Sequence, residues 1–543
     1  MTTSEAKRGK ATGARGREPG TQAAAPPARE ESGRGWLWIG LSGAVLLFAF
    51  VLRFYHISLR PVHHDEAVNG VIAMGLLRAH VYKYNPTHYH GPSLYYFLWL
   101  AFKLDGWLTY SEGLSTAVIR GVTAFLGAAT VGLLLSLRHY LGAWGALTAA
   151  ALMAFSPGAV FVSRDCIHEA PFVFLTLAMV MALWRYYETA SPAFLCLAAG
   201  WAGILCATKE TWIFTAAVLP LAGLGVAGVV AWPVPDRRWQ VFRTEVGRYL
   251  HWGEGRRAGR RILSWIGAFA LFLAIYGAFF SSFGDNFPKG IYDSFATFRY
   301  WAHTGATDIV HNDFTYLYWL ARAEFPTLVL GILGMGFALR RRNRFAMFCG
   351  FWALGMLAVY SLIPYKTGWL TLNILLPLAI TGGYGVAEMG RQGPPSRRRW
   401  APLAGIVAGL LAVSAGQAIS FSFFRYDDDA VPYVFRDTRR QFPQLVEQID
   451  RIARRAQGAE TFITVLNHDP FPLIWYLRDY PNVHCWDFLA PDESEIVVAT
   501  NRQAAGVQRG LGDRFVRVGD YLAFPAHLAE PYMVLFARRD LLP

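Results

Sequence analysis

The sequence predicts an α-helical polytopic membrane protein, with about 11–13 transmembrane helices and a small C-terminal α/β unit outside the bilayer. Three observations carry that expectation. Of 543 residues, 54% are hydrophobic and only 16% charged, whereas a soluble surface of this size needs roughly a quarter. The apolar residues come in blocks such as "WLWIGLSGAVLLFAFVL" and "FLGAATVGLLLSL", and a helix needs about 20 residues to cross a bilayer. Beyond residue 424 the blocks give way to short apolar runs between polar turns, the pattern of buried strands.

Residues 1–34 are rich in Ala, Gly, Arg, Glu and Pro without an apolar period, and are expected to form a disordered cytoplasmic tail. The polar lead is too long for a cleaved signal peptide, so the first apolar segment is expected to be retained. Hydropathy places spans near 35–52, 116–137, 143–162, 169–187, 193–209, 212–231, 262–283, 320–339, 345–363, 369–388 and 400–423, within a membrane domain over 35–424. The basic stretches "LRHY", "WRYY", residues 236–261, "RRRNR" and "SRRRW" then all fall on the side of the tail, as cytoplasmic loops should. The same distribution accounts for the formal net charge of +13, and no nucleic-acid partner is expected.

The extracytoplasmic face receives loop 53–115, the connections 163–168, 209–211, 284–319 and 364–368, and the whole of 425–543. Loop 53–115 carries "EAVNGVIAMGLLRAHVY" and "PSLYYFLWLAFKL", which suit interfacial helices; a re-entrant pair there would raise the count to thirteen. In the C-terminal unit strands are expected at 461–466, 482–486, 495–500 and 532–537, with helices at 444–456 and 471–480. No Gly-rich phosphate loop opens those helices, so no nucleotide site is expected. The five cysteines show neither metal nor disulfide spacing.

This topology sorts the ionisable residues. His63, His64, Asp65, Glu66, His90, Arg120, Arg164, Asp165, His168, Glu169, Lys209, Glu210, His303, His311, Tyr365 and Lys366 all fall at or beside extracytoplasmic ends of spans. Ionisable groups at membrane depth are costly and mark a site or pathway. Each also has a plainer explanation. Asp65 suits a helix N-cap, and Glu169 before Pro171 suits a helix start. Arg120, Arg164 and Lys209 suit snorkelling anchors, and His90 a satisfied interfacial histidine. His303 and His311, eight residues apart in a loop, are a weak metal signal. Convergence outweighs these separate explanations, because acids and cations gather on one face beside lipid-accessible loops.

The order of "HHDEA", "YHGPSLYYFLWLAFKL", "SEGLSTAVIRGVTAFLGAATVGLLLSLRHYLG", "ALMAFSPGAVFVSRDCIHE" and "CATKE" resembles the C superfamily of membrane glycosyltransferases (GT-C). The nearest groups are the dolichyl-phosphate-mannose protein mannosyltransferases and the bacterial aminoarabinose transferase of lipid A. Within them the chain is most similar to the flippase activity-associated subgroup, whose "HDE", "HGP" and "SRD..HE" segments it shares. The similarity covers the first 220 residues; "PYKTGWLTLNILLPL" and "FPLIWYLRDY" fit less specifically.

The resemblance implies a polyprenyl-phosphate sugar donor and transfer on the outer face to a lipid, protein or glycan acceptor. It implies Asp65 at the catalytic carboxylate position, with Glu66 completing the acidic pair. Arg120, Arg164 and Lys209 match the family's basic positions and Glu169 its acidic one, while Ile167 stands where many relatives keep a second arginine. His90 falls where the aminoarabinose transferase carries a metal-associated glutamate. A divalent metal is therefore the one cofactor expectation, with His311 the second candidate ligand.

The expected reaction is attack of an acceptor hydroxyl or amine on the anomeric carbon, expelling polyprenyl phosphate. Asp65 is the candidate general base. Arg120, Arg164, Lys209 and Lys366 are the candidates to steady the departing phosphate, and His64, Glu169 and Tyr365 are expected to complete the pocket. Isoprene units buried between spans would contribute about 0.8 kcal/mol per CH₂. One rival is a lipid or glycolipid transporter or flippase, which would show repeated halves and midplane charges; the charges here sit at one face. The other is a non-catalytic glycolipid-binding assembly partner, which would use the same cations.

Overall fold

Out of water a chain must satisfy its own backbone groups, so apolar blocks become helices. In the computed structural model, which describes residues 35–87, 90–109, 113–251, 256–307, 311–392, 397–489 and 494–542, they form α1 (Gly35–Phe54), α4 (Thr116–Ser136), α5 (Arg138–Phe155), α6 (Pro157–Ser163), α7 (Glu169–Thr189), α8 (Pro192–Cys206) and α9 (Trp212–Ala231). They continue as α11 (Arg256–Phe280), α13 (Thr315–Ala323), α14 (Phe325–Arg341), α15 (Arg344–Leu362), α16 (Leu372–Arg391) and α17 (Arg397–Ile419). Loop helices α2 (His64–Ala79), α3 (Ser93–Thr109), α10 (Arg238–Leu250) and α12 (Lys289–Thr307) lie between them. The expected N-terminal tail falls outside the described residues.

Among the described residues, eight helices are long and apolar enough to cross a membrane, or ten if the bent pairs α5–α6 and α13–α14 each make one span. The chain is a multi-pass membrane protein. This count lies below the expected 11–13 because α8 has only 15 residues, and because α2 and α3 stay short of a crossing. Every segment expected from hydropathy nevertheless coincides with one of these helices or pairs.

The breaks have local causes. Ser156 interrupts α5–α6, its hydroxyl accepting from the Ala159 N–H while Pro157 opens the next helix, and the axis turns by 57°. Pro326 opens α14 in the same way, since the residue before a proline is pushed out of helical geometry; the turn there is 108°. Helix α16 forms the centre, 94% buried along its window, whereas α1, α11 and α17 are buried by only 17%, 6% and 17%. Those three leave most of their apolar surface exposed, as helices that face lipid do. Helices α14 and α16 approach so closely at Gly334 that a Cβ there would overlap the Thr381 carbonyl.

The C-terminal part adds α18 (Phe442–Ala453), α19 (Leu473–Tyr476), α20 (Ala504–Leu511) and strands β1 (Ile463–Leu466), β2 (Val483–Trp486), β3 (Ile496–Thr500), β4 (Phe515–Leu522) and β5 (Tyr532–Arg538). The sheet order is β2-β1-β3-β5-β4. Strand β1 is parallel to β2 and β3, while β5 is antiparallel to β3 and β4. The four expected strands are present. Strand β4 was not expected, because Arg517 and Asp520 break its apolar run and a register shift falls between Arg517 and Gly519. The expected helix at 471–480 contracts to α19, whose Trp475 is fully buried among Val62, Ala67, Leu94 and Ile119. Its indole N–H donates to Thr116 Oγ1 at 3.0 Å. Arg478 Nε donates to the Leu114 carbonyl at 3.1 Å, and the Val62 N–H donates to the Tyr476 hydroxyl at 2.8 Å. These contacts seat the sheet against one end of the helical bundle.

Candidate functional site

At that end lies a cavity of about 1080 Å³. The start of α2 forms one wall, the starts of α7 and α9 another, and aromatic residues of α12 a third; the sheet loops close it. A large, mostly apolar hollow with a few converging polar groups is the usual form of a ligand site.

Asp65 lines this cavity, and it is not the N-cap of α2, the plainer explanation open to it. The N-cap of α2 is His63, whose Nδ1 accepts from the Asp65 N–H while Nε2–H donates to the Phe435 carbonyl at 3.0 Å. Glu66 completes a capping box by accepting from the His63 N–H at 2.9 Å. The cap is therefore made without Asp65, whose side chain is free for the cavity. Its Oδ1 accepts from His64 Nδ1 at 2.9 Å, and His64 Nε2 donates to Asp469 in the loop after β1 at 2.7 Å.

Burial opposes charge on the His64 ring, but hydrogen bonds to Asp469 and Asp65 outweigh it and raise its pKa to about 10. Partial burial likewise opposes charge on Asp65, whose side chain is about half exposed, yet His64 and the neighbouring rings hold that carboxyl well below the usual carboxylate range. The bridge is thus complete at neutral pH. It is lost only as pH rises through about 10, or in acid strong enough to protonate Asp65. In a histidine-ring NMR titration of the whole chain, His64 should stay protonated to about pH 9; a midpoint near the ordinary 6.5 would contradict the bridge.

The "HGP" and "CATKE" segments meet backbone to backbone. The Gly91 N–H donates to the Thr208 carbonyl at 3.1 Å and the Ser93 N–H to that of Ala207 at 2.9 Å. A Cβ at residue 91 would overlap the Ala207 carbonyl, so only glycine permits this approach. The contact sets His90 beside Glu210, its Nδ1–H donating at 2.8 Å, with the ring stacked on Trp301 at 4.8 Å. Lys209 lines the same cavity and is ion-paired with Glu169. Of the expected residues, Asp65, His64, His90, Glu169, Lys209 and Tyr365 therefore share one cavity.

The other expected cations lie elsewhere, and each is already occupied. Arg120 is fully buried, its Nε and NH2 donating to Glu66 at 2.8 and 2.7 Å and its remaining donors to the Ile57, Arg60 and Pro61 carbonyls. Glu66 also accepts from the Cys166 N–H at 2.8 Å. This pair lies behind the cavity wall and joins α2, α4 and the α6–α7 connection, instead of forming an acidic pair with Asp65 or meeting a phosphate. Arg164 donates to the carbonyls of Leu52, Arg53, Tyr55 and His56, closing the C-terminal end of α1, where unpaired carbonyls favour a cation. Lys366 does the same for α15, donating to Ser361 at 2.8 Å and Ile363 at 2.6 Å.

His311 does not line the cavity with His90; its ring packs near Trp319. Among the described residues no three His, Cys, Asp or Glu side chains are placed to hold a metal ion, so the expected His90–His311 metal pair is not assembled.

Sequence inspection passed over Arg436 and Arg502, which also line the cavity. Among the described residues the Arg436 guanidinium makes neither hydrogen bond nor ion pair; its central carbon lies over the Phe435 ring, 5.9 Å from the centroid. Its backbone adopts φ 53°, a left-handed conformation that costs energy for a residue with a side chain. The available signal was its position, in the segment between the last span, which ends at Phe424, and α18, outside any motif.

No protein-family model matches the chain, and no curated protein does by sequence. The fold is shared with solved membrane proteins at low sequence identity. ArnT from Cupriavidus metallidurans in the apo state superposes with a TM-score of 0.65 and 14% identity, over 94% of this chain and 100% of that one. The same protein bound to undecaprenyl phosphate gives 0.62, over 94% and 99%. The Archaeoglobus fulgidus oligosaccharyltransferase, tethered with an acceptor peptide containing the NVT sequon, gives 0.54 at 13% identity, over 87% of this chain and 70% of that one.

Proposed function

We propose that the chain is a membrane glycosyltransferase that moves a sugar from a polyprenyl-phosphate donor to an acceptor on the extracytoplasmic face. The observation that supports this is the presence of the Asp65 carboxylate and the Arg436 guanidinium on one cavity, in a fold shared with a protein bound to undecaprenyl phosphate. With α8 counted as an eleventh crossing beside the ten, the distribution of basic loops favours a cytoplasmic N-terminus and an extracytoplasmic α/β domain over residues 425–543, following the membrane domain.

In this mechanism the acceptor hydroxyl attacks the anomeric carbon as the bond from that carbon to the phosphate oxygen breaks. Polyprenyl phosphate leaves with the electron pair, and the hydroxyl proton passes to Asp65 Oδ2, the oxygen that His64 does not hold. The departing phosphate gathers charge in a poorly screened site, where a fixed cation favours the transition state. Lys209 is already neutralised by Glu169, so Arg436 is the countercharge with capacity to spare.

The test is release of polyprenyl phosphate from a panel of polyprenyl monophosphate sugars by the full chain in lipid nanodiscs. Release from at least one donor is expected; failure both to turn over any donor and to bind undecaprenyl phosphate would end the proposal. Arg436→Ala should weaken undecaprenyl phosphate binding by about tenfold or more, since a hydrogen bond to a charged group contributes about 1.5–3 kcal/mol. Arg436→Lys should restore part of the loss, as a point charge replaces a fork. Equal binding by wild type and Arg436→Ala would remove Arg436 from the phosphate site.

A further inference from the structure

The sheet has a topological switch point, and that point faces the cavity. After β1 the chain leaves through α19 to β2 on one side; after β3 it leaves through α20 toward β4 and β5 on the other. In open α/β sheets, connections that diverge in this way leave a crevice outside the carboxyl ends of the two parallel strands, and ligands bind there. The residues at those ends are Asn467 and Asp469 after β1, with Thr500 and Arg502 at and after β3, and all four line the cavity. A sheet needs no such orientation merely to pack on a bundle, since its loops at the other edge would serve equally.

The chemistry of this wall selects a ligand class. It combines acceptors (Asp469), a donor (Arg502) and an amide that offers both (Asn467), with Glu530 and the rings of Phe471 and Tyr532 beside them. Asp469 and Glu530 repel a polyanion, and Arg502 opposes a cation. Hydroxyl groups donate and accept at once and match a wall of mixed polarity, while the apolar faces of pyranose rings suit aromatic surfaces. Arg502 and Glu530 stand 3.6 Å apart, and Arg502 is 72% exposed, so both can turn to a ligand.

We infer that the crevice between the carboxyl ends of β1 and β3 is an acceptor subsite of the cavity, and that it takes a neutral, hydroxyl-rich glycan. This rests on the glycosyl-transfer proposal and names the acceptor class for it. The His64–Asp469 hydrogen bond then joins the acceptor wall directly to Asp65, so that a glycan held at β1 and β3 presents its hydroxyl beside the carboxylate.

The test uses the full chain in nanodiscs on an array of neutral glycans, with binding of undecaprenyl phosphate measured in parallel. Wild type should be retained by a subset of glycans. The Asn467→Ala/Arg502→Ala double variant should lose that retention by about tenfold or more, with its undecaprenyl phosphate binding unchanged. Neither side chain is packed in the core, so the variant should fold. Retention of no glycan, or retention of a Ser/Thr-rich peptide in its place, overturns the inference, as does equal retention by the double variant. Failure of wild type to bind undecaprenyl phosphate is a separate result, and it counts against the transfer proposal itself.

Discussion

Asp65→Asn is expected to lower sugar transfer by about 10²–10⁴-fold, the usual contribution of a positioned general base, while leaving the fold and the affinity for undecaprenyl phosphate unchanged. The substitution is close to isosteric, and its carbonyl oxygen can still accept from His64 where Oδ1 does now. Helix α2 loses nothing at its start, because His63 and Glu66 form the capping box. What disappears is a carboxylate able to take a proton. His64 holds Asp65 below the usual carboxylate range, which makes it a weak base. That suffices here, because in an oxocarbenium-like transition state the attacking hydroxyl becomes acidic as its bond to carbon forms. The acid limb of the transfer profile should accordingly fall below the ordinary carboxylate range in wild type. Transfer at wild-type rates by Asp65→Asn would remove the catalytic assignment, and retained donor binding without transfer would separate an enzyme from a glycolipid-binding partner.

The membrane class and the placing of Asp65 and Lys209 on one cavity were legible in the sequence for a physical reason. Hydropathy fixes where the chain leaves the bilayer, and residues leaving at the same depth are brought together by the bundle whatever their distance in sequence. The motifs "HHDEA", "YHGP" and "CATKE" are such exits, and the backbone pairing of Gly91 and Ser93 with Thr208 and Ala207 joins two of them. What depth could not reveal was how each cation spends its charge. Arg120, Arg164 and Lys366 carry the right charge at the right level, yet each donates to partners of its own chain. A sequence shows the charge and not the carbonyls that consume it. Arg436 escaped notice for the converse reason: an arginine in an unremarkable loop becomes important only when its neighbours leave it unpaired. The same holds for Asp469, which meets His64 across a sequence separation of 405 residues.

Arg120→Ala should destabilise the protein by about 3–5 kcal/mol, the range for breaking one partner out of a buried ion pair. Both members are fully buried, at 0% exposure each. Removing the guanidinium leaves Glu66 charged in a dry site, held only by the backbone N–H groups of His63 and Cys166. It also orphans the Ile57, Arg60 and Pro61 carbonyls. Glu66 must then protonate or drag water inward, and the loop leading into α2 loses its anchor to α4. Arg120→Lys should recover little, since a single ammonium cannot reproduce a fork that meets two carboxylate oxygens and three carbonyls. Thermal unfolding followed by size-exclusion chromatography in detergent reads the effect, and undecaprenyl phosphate binding by the fraction that remains folded reads the alternative. A lowered melting temperature with wild-type affinity marks Arg120 as an internal strut. An unchanged melting temperature with lost affinity would return it to the phosphate site, and would mean that the wall between Arg120 and the cavity opens when the donor lipid binds.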